Sequence, residues 1–345
     1  MAANESTGVK GRRPTLMDVA RRANVSRATA SLVLRKSPLV GAETRAAVEA
    51  AMADLGYVYN LGAARMRAAR SRTIGVIIPN LWNPFFGVLL AGIDREMDGA
   101  GLATFIAHAA ESPARQDGFV TRMREHGVDG LIICPASGTE PRFIAAIAEW
   151  GIPLVQVLRH VRGTETDFAG MDQSGGMGQA IARLHALGHR TIGFVTDNLH
   201  HSAHEDRLNA FHAGLRGVGL AEAGIIEIEA TPKNAIALGR ELAGTRQEVT
   251  AWVCHNDVIG LGLHRGFCDA GRMPGRDISI IGFDDVAETE LVHPGLASVA
   301  TEPLTVGALA ARMLLARIET PGEPPRHELV PTHFVERGSV GRAAR

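Results

Sequence analysis

Cysteine is scarce in this chain, and the few cysteines present have no metal-binding arrangement. Cys134, Cys254 and Cys268 lie far apart in the 345-residue sequence, each within or beside an apolar run. No two of them have the spacing of metal ligands. We therefore expect buried, reduced thiols at all three positions.

Long hydrophobic segments are also missing. No apolar run approaches the ~18 residues that a membrane span requires. The opening segment MAANESTGVKGRRP lacks the apolar core of a signal peptide. The composition, with 46% hydrophobic and 21% charged residues, is still rich enough to bury full cores. At roughly 150 residues per domain, the length predicts two or three domains, and we expect a cytoplasmic protein with no membrane partner.

The common catalytic signatures do not occur. The sequence contains no GxxxxGKS/T, GxSxG, HExxH or CxxC motif, so phosphoryl transfer, serine hydrolysis and zinc chemistry lack their usual anchors. Gly260 and Gly262 lie within a predicted helix, where they are better explained as packing glycines than as a dinucleotide loop. We therefore expect no enzyme activity, no cofactor and no metal.

Charge is distributed unevenly along the chain. The first 72 residues carry 13 Lys and Arg against 5 Asp and Glu, a net charge of +8, whereas the whole chain carries −1. A basic end suits a polyanion, and the neutral-to-acidic remainder does not. This asymmetry predicts a DNA-reading head carried on a separate control domain.

Residues 14–59 have the pattern of a helix-turn-helix. The first helix has apolar residues at the spacing of a single buried face, at Leu16, Val19, Ala20 and Ala23. After a tight turn, Ser26 can cap a second helix that runs to about Leu34. That helix turns Ala30, Val33 and Leu34 inward, which leaves Arg27, Ala28 and Ser31 outside and Thr29 toward the edge.

A third helix is predicted from about Glu43 to Leu55, with Val48, Met52 and Leu55 buried and Gly56 as a left-handed C-cap. The alternative for the whole segment is a small three-helix bundle with a solvated basic face. The next stretch, NLGAARMRAARSR from Asn60 to Arg72, has too little apolar surface to fold alone. It is expected to be a linker that becomes helical when bound.

The remaining chain has the alternating pattern of a parallel α/β protein. Short β-branched runs alternate with amphipathic segments of about 10 to 15 residues. The expected strands are TIGVIIPN, ATFIAHA, DGLIICPA, IPLVQVL, TIGFVTD, GIIEIEA, TAWVCHND and ISIIGFDD. These are too many for one compact sheet, and the pattern restarts near Gly170, so we predict two similar lobes. The first comprises about 73–168 and 300–320, and the second about 169–299 and 321–340.

Polar and aromatic side chains follow several of the predicted strands, where ligands bind in parallel sheets. The candidates are Asn80, Trp82, Asn83, Phe85, Arg159, Asn256 and Asp284. Such groups suit a hydroxyl-rich ligand, whose hydroxyls need donors and acceptors and whose C–H face stacks on a ring. A lone carboxylate after a strand is often only a helix cap, and Asp257 and Asp285 are expected to be caps or hinge supports.

The segment LHHSAHED, residues 199–206, is a weaker candidate for metal binding. Its His201 and His204 could serve as ligands, but the spacing predicts that both lie in a loop. A solvated or effector-facing role is expected instead.

Four segments resemble the lactose-repressor (LacI/GalR) family: LMDVARRANVSRATASLVL, ETRAAVEAAMADLGY, TIGVIIPNLWNPFF and GFDD at 282–285. With the linker, the resemblance covers nearly the whole chain. It implies an α/β protein with an all-α helix-turn-helix head at 14–59, a hinge at 60–72, and a periplasmic-binding-protein-like body at 73–340. It also implies a transcriptional regulator, most often a repressor, controlled by a small effector bound between two lobes.

For DNA, the resemblance places the second helix in the major groove. Arg27 would bond guanine O6 and N7, and Ala28 would touch a thymine methyl group. Phosphate contacts are implied for Thr15, Ser26, Thr29 and Ser31. Leu32 stands where many members carry a base-reading arginine, so readout depends more on Arg27.

The hinge and the turn before the third helix carry three further implications of the resemblance. Asn60 starts the hinge. Met66 occupies the position of a leucine that wedges into the minor groove and kinks the duplex. Gly41 replaces the usual serine before the third helix, a change of only a few tenths of a kcal/mol.

For the body, the resemblance adds Arg207 in HEDRLNAF to the ligand candidates and strengthens Asp284. Leu158 stands where several sugar-binding members have an aspartate, so the effector is either less polar or an acid met by Arg159 and Arg207. The implied assembly is a homodimer on a near-palindromic operator, with a sugar or sugar acid as effector. There are two alternatives. One is a DNA-binding regulator controlled by a partner protein, and the other is an enzyme or transport receptor with an accessory head.

Overall fold

The computed structural model describes residues 14–34, 37–57 and 71–343. The chain divides into two units, one ending at Ser71 and the other beginning at Arg72. Asn60 and Met66, with nearly all of the expected 60–72 hinge, lie outside the described residues. Within the described part, every helix is too short or too polar to cross a bilayer.

The described residues of the first unit form three helices: α1 Leu16–Arg22, α2 Arg27–Leu34 and α3 Ala42–Leu55. Thr15 caps α1 in a capping box, since its hydroxyl accepts from the Asp18 backbone N–H and its own N–H donates to the Asp18 carboxylate. Ser26 Oγ accepts from the Thr29 backbone N–H at 3.0 Å, which confirms the predicted cap of α2.

The head is held by a small apolar core of Val19, Ala20, Ala30, Val33, Val48 and Ala51. The inward face predicted for α2 is confirmed, although Leu34 is only half-buried. The prediction for α3 was partly wrong, because Ala51 is buried while Met52 and Leu55 are half-buried. The buried face of α3 is centred on Val48 and Ala51, so Met52 and Leu55 contact only the edge of the core. Gly56 is the left-handed C-cap, with φ of 60°.

The second unit contains two six-stranded sheets. The first sheet has the order β11-β5-β4-β3-β1-β2, and the second the order β12-β10-β9-β8-β6-β7. The strands of the first sheet are β1 Thr73–Ile78, β2 Ala103–His108, β3 Gly130–Ile133, β4 Leu154–Val157, β5 Asp167–Met171 and β11 His327–Val330. Those of the second are β6 Ile192–Asp197, β7 Glu222–Ile228, β8 Ala251–Cys254, β9 Ser279–Asp284, β10 Ala297–Ala300 and β12 His333–Val335. Only the edge pair β10–β12 is antiparallel among the described strand pairs.

Helices cover the faces of both sheets. They are α4 Pro84–Gly99, α5 Pro113–Glu125, α6 Pro141–Glu149, α7 Gln173–Ala186, α8 Ser202–Gly217, α9 Pro232–Thr245, α10 Asp257–Asp269 and α11 Pro303–Glu319, with a short 3-10 helix at Ala287–Glu290. The predicted α/β class with parallel sheets in two lobes is therefore confirmed. All eight strands expected from the sequence are present, and the sequence patterns had not singled out β5, β10, β11 and β12.

Within residues 71–343 the chain passes between the lobes three times, at 171–173, 300–303 and 330–333. The last crossing corrects the expected lobe boundary, because 321–340 had been placed in the second lobe. Strand β11 instead pairs with β5 of the first sheet, and only β12 joins the second sheet. The apolar stretch HELVPTHFV thus supplies one edge strand to each lobe, because β11 pairs with β5 and β12 pairs with β10.

Helix α11 returns to the first lobe and packs on α4 at close range. A Cβ added at Gly92 would lie 2.2 Å from the Leu304 carbonyl oxygen, and one added at Gly307 would lie 2.1 Å from the Leu89 carbonyl oxygen. The two glycines let the helix backbones approach closely. This packing anchors the segment that follows the second crossing.

Candidate functional site

A cavity of about 960 Å³ lies between the two lobes, at the carboxyl ends of strands from both sheets. This is the position at which open parallel sheets bind ligands. All eight predicted effector residues line it: Asn80, Trp82, Asn83, Phe85, Arg159, Arg207, Asn256 and Asp284. The structure therefore brings the predicted set together, and their role in binding stays a prediction.

Three asparagines at the cavity shape their own loops and helix ends. Asn80 Oδ1 accepts from the Trp82 backbone N–H at 2.6 Å. Asn83 caps α4 and Asn256 caps α10 through their side-chain oxygens. Because the carbonyl oxygen of each amide accepts a backbone N–H, the NH₂ group is the part of each side chain left as a donor, and that of Asn83 bonds to Asp284.

Asp284 ends β9 and links the two lobes. The Asn83 amide donates to its Oδ2 at 3.5 Å. The carboxylate is buried, and burial raises its pKa to about 6, against the opposing effects of Arg207 and Asn83. A carboxyl with this pKa changes charge in mildly acidic solution.

Arg207 lies on α8 and is almost fully buried, with 5% of the residue exposed. Its Nε donates to Gln173 Oε1 at 3.0 Å, and one terminal nitrogen donates to the His255 carbonyl. Its Cζ stands 3.8 Å from the ring centroid of Phe283. Burial lowers the pKa of Arg207, partly countered by Asp284. These contacts hold the guanidinium at the cavity wall.

Arg159 follows β4 and forms a half-buried ion pair with Glu111. Its NH1 lies 3.0 Å from Glu111 Oε2 and also donates to the Pro135 carbonyl. Glu111 Oε2 accepts a further bond from the Ser137 backbone N–H. Because the ion pair with Glu111 neutralises the charge of Arg159, this arginine is less available to an acidic effector than the sequence suggested.

Several cavity-lining residues adopt backbone conformations that side chains disfavour. The φ angles are 52° at Ala110, 54° at Glu111, 64° at Leu158 and 114° at Asp284. Such conformations cost on the order of 1–3 kcal/mol each and cluster at functional sites. All four residues follow or end strands at the cavity edge, which supports a functional role for this edge.

Aromatic rings supply the apolar part of the wall. Phe85 is buried and packs edge-to-face against Phe86, with ring centroids 5.5 Å apart. Trp82 instead is 87% exposed. An exposed indole beside buried rings can stack on the apolar face of a ligand.

Sequence analysis missed a cluster of imidazoles around Asp197, the last residue of β6. His204 Nδ1 lies 3.2 Å from Asp197 Oδ1, and His255 Nε2 lies 3.3 Å from Asp197 Oδ2. His201 Nε2 is 3.8 Å from the same Oδ2. Two members of this cluster, Asp197 and His255, could have been found from the sequence, because they end or follow predicted strands.

Burial works to raise the pKa of Asp197, but the neighbouring imidazoles of His255, His201 and His204 hold it below its usual value. Burial lowers the pKa of His255 well below its usual value. The loop prediction for His204 was wrong, because His201 is the N-cap of α8 and His204 lies in its first turn. Both side chains are buried rather than solvated, and His201 lines the cavity, as the effector-facing alternative expected.

Asp257 and Asp285 have the structural roles expected of them. Asp257 accepts from the Val286 backbone N–H at 2.8 Å and from Ser298 Oγ at 2.7 Å. Asp285 accepts from Arg337 NH1 at 2.6 Å. Both carboxylates therefore hold the loop after β9 in place.

The head presents the predicted DNA-facing residues on α2 and at the start of α1. Arg27 and Ala28 are exposed on α2, and Thr29 and Ser31 are half-buried beside them. Ser26 Oγ and Thr29 Oγ1 lie 2.8 Å apart. The Thr15 hydroxyl donates to Asp18 at 2.6 Å, so a phosphate at Thr15 would share that hydroxyl with its cap.

Comparisons with known proteins cover both units. A model described as bacterial regulatory proteins, lacI family, matches residues 15–60, and a periplasmic binding protein-like domain matches residues 181–340. The HTH-type transcriptional regulator GntR of Escherichia coli (strain K12) is 28% identical over 319 residues, which cover 92% of this chain and 96% of that protein.

Two solved structures are similar over 95% of the chain. The transcriptional regulator CelR in complex with cellobiose has a TM-score of 0.71 at 27% identity, with 100% of that chain covered. The Lac repressor dimer bound to operator and the anti-inducer ONPF has a TM-score of 0.86 at 24% identity, with 99% of that chain covered. The second similarity shows a shared fold.

Proposed function

We infer the function from one premise: this chain belongs to the LacI family of bacterial regulatory proteins. We propose that it is a sequence-specific DNA-binding transcriptional regulator that acts as a repressor. In this proposal residues 14–59 bind DNA, 60–72 form the hinge, and 73–340 bind the effector and dimerise.

The proposed DNA contact uses the exposed face of α2. Arg27 and Ala28 would read bases in the major groove, while Thr15, Ser26, Thr29 and Ser31 would contact phosphates. Asn60 and Met66 keep their proposed roles at the hinge and the minor groove. One head makes too few contacts for nanomolar affinity, so we propose a homodimer on a near-palindromic operator.

The effector proposal rests on one observation, the cavity of about 960 Å³ between the lobes. Its wall combines amide donors, the Asp284 carboxylate, the Arg207 guanidinium and aromatic rings. Such a wall suits a carbohydrate or a sugar acid. The similarity to CelR, whose structure contains cellobiose, supports a sugar-type ligand.

Ligand control follows from the position of the cavity. Asn83 and Asp284 belong to different lobes, and so do Ser137 and His200, whose Oγ and carbonyl oxygen lie 2.9 Å apart. A ligand that bonds to both walls favours one lobe arrangement over another. Coupling to DNA must be reciprocal, so an effector that weakens operator binding must itself bind the DNA-bound form less tightly.

We propose that the chain is cytoplasmic, where its operator would be found, and that it is not an enzyme. The state of Cys134, the buried thiol that follows β3, supports the second point. Burial raises the pKa of Cys134 to about 12, with smaller opposing and reinforcing effects of Arg159 and Glu111. A thiol that stays protonated at neutral pH is a poor nucleophile. Turnover of any screened sugar by the purified protein would contradict this part of the proposal.

A thermal-shift screen of sugars and sugar acids tests the effector site. We expect a compound that raises the melting temperature of the wild-type protein, with the shift lost in Asp284→Ala and Arg207→Ala. Arg240→Ala is the matched control, because Arg240 forms an exposed ion pair with Asp269 and does not line the cavity. A compound that stabilises all four proteins equally would place the ligand elsewhere.

A further inference from the structure

Three potential metal ligands converge on one point of the second-lobe wall. The side chains of Asp197, His204 and His255 are each about nine-tenths or more buried, and one ligand atom from each lies within 4.8 Å of the other two. Asp197 and His255 also line the cavity. The cluster comes from β6, the start of α8 and the residue after β8, so rigid elements hold all three groups.

Two distances within the cluster are similar to those between the ligands of a tetrahedral coordination shell. Nitrogen and oxygen ligands about 2.0–2.1 Å from zinc lie about 3.3–3.4 Å from each other. His204 Nδ1 lies 3.2 Å from Asp197 Oδ1, and His255 Nε2 lies 3.3 Å from Oδ2, so each histidine faces a different oxygen of the carboxylate. Two imidazoles and one carboxylate also form a common ligand set for zinc and iron sites that keep an open position.

Thr196 lies where an outer partner would orient the imidazole of His255. Its Oγ1 is 3.3 Å from His255 Nδ1. Its 3.1 Å contact with His204 Nδ1 would be given up when that nitrogen binds the ion. A metal-ligating histidine almost always bonds through its second nitrogen to such a partner. With His255 coordinating through Nε2, its Nδ1–H would donate to the threonine hydroxyl.

His201 gives an independent indication that a ligand belongs here. Its Nδ1 accepts from the His204 backbone N–H at 3.0 Å, so the neutral ring carries its proton on Nε2. Nε2 is buried and has no hydrogen-bond partner in the described part of the chain. At 3.8 Å it is too far from Asp197 for a hydrogen bond. Buried donors without partners are rare, and a bound ion with its water is one explanation.

Each of the two nearby arginines has an acidic neighbour, which offsets part of its repulsion of a cation. Arg159 pairs with Glu111 at 3.0 Å. Arg207 lies beside Asp284, whose charge acts on it. The carboxylate of Asp197 contacts the imidazoles of His201, His204 and His255, and the charges of Arg159 and Arg207 also act on it.

We propose that Asp197, His204 and His255 bind a divalent transition-metal ion of the zinc type, with an open coordination position toward the cavity. His201 would donate its Nε2–H to an oxygen atom on that ion. The proposal departs from the sequence expectation of no metal. It does not depend on the regulatory function, because the ion would bind the protein in the absence of DNA and effector.

Isothermal titration of the chelator-treated full-length protein with ZnCl₂ tests the site. We expect one ion per chain in the wild-type protein. Losing an outer partner of a metal site costs about 10–100-fold in affinity, so losing a ligand should cost at least that much. Asp197→Asn and His255→Gln should therefore bind zinc at least about 100-fold more weakly, and Thr196→Val about 10–100-fold more weakly.

His212→Gln is the matched control, since His212 pairs with Glu222 at 2.6 Å on the surface of the same lobe. It should bind zinc as the wild type does. Circular dichroism shows which variants fold. If Asp197→Asn and His255→Gln do not fold, the zinc affinity of Thr196→Val tests the site instead. Visible absorption of a Co²⁺ complex, lost in His255→Gln, would confirm imidazole coordination. No saturable zinc binding, or equal affinity in all variants, would overturn the site and leave a hydrogen-bonded network around Asp197.

Discussion

The guanidinium of Arg207 lies over the ring of Phe283, with Cζ 3.8 Å from the ring centroid. Phe283 is fully buried in β9 and directly precedes Asp284. The contact therefore joins α8 to the strand that carries the cavity carboxylate. A side chain held in this way has little rotamer freedom left to lose when a ligand binds.

Phe283→Leu should weaken effector binding about 10-fold, because a partly desolvated cation–π contact contributes about 1–2 kcal/mol. Titration calorimetry with the compound identified by the thermal-shift screen measures the change. Phe211→Leu is the control, since Phe211 is also fully buried in this lobe and stacks on Phe194 at 4.9 Å. Both variants should lose stability, but only the first should lose affinity. Equal losses of affinity would show that Phe283 does not position Arg207.

Asp284→Asn should stabilise the protein at neutral pH. Burial raises the pKa of Asp284 from 3.8 to about 6, so its contribution to stability is present at low pH and is lost as the pH rises through about 6. Removing the titrating group should add about 3 kcal/mol to the free energy of unfolding at pH 7 and little at pH 4. Urea denaturation at both pH values measures this.

The same variant should bind the effector more weakly, because a neutral amide replaces the carboxylate. Asp98→Asn, at an exposed aspartate on α4, is the control and should change the free energy of unfolding little. A gain for Asp284→Asn that is equal at pH 4 and pH 7 would contradict the assigned pKa.

Gly282→Ala should destabilise the second lobe by about 2–4 kcal/mol, because the added Cβ would lie 1.9 Å from Asp257 Oδ1. The carboxylate would have to leave its bonds to Ser298 Oγ and the Val286 backbone N–H. Gly178→Ala, in the middle of α7 with open space around it, should instead add about 0.5–1 kcal/mol. Thermal unfolding compares the two, and a stable Gly282→Ala protein would contradict the packing described.

Arg27→Ala should relax base preference at one position of each half-site and cost about 1–3 kcal/mol of operator binding. Selection from a random DNA pool, followed by fluorescence anisotropy, measures preference and affinity. Arg21→Ala removes the same charge from an exposed arginine of α1. It should weaken binding to all sequences alike, with a smaller salt dependence. An unchanged base preference without Arg27 would refute the base-reading role.

Much of the fold could be predicted because its signals are local. The cap at Ser26, the C-cap at Gly56 and the strand TIGVIIPN depend on residues within one turn or one strand. The strand-end rule likewise found Asn83, Arg159 and Asp284, since carboxyl ends of parallel strands meet at one edge. The same rule applied to Asp197 and His255 would have found two members of the imidazole cluster.

The sequence by itself determined the division into a basic helical head and a two-lobed α/β body, because hydrophobic periodicity, caps and charge are written within short segments. Only the tertiary structure decided which sheet β11 joins, which carboxylates support loops, and that His204 and His255 meet at Asp197. These outcomes depend on how distant elements pack, and spacing along the chain does not report distances between residues brought together by the sheet order and the lobe crossings.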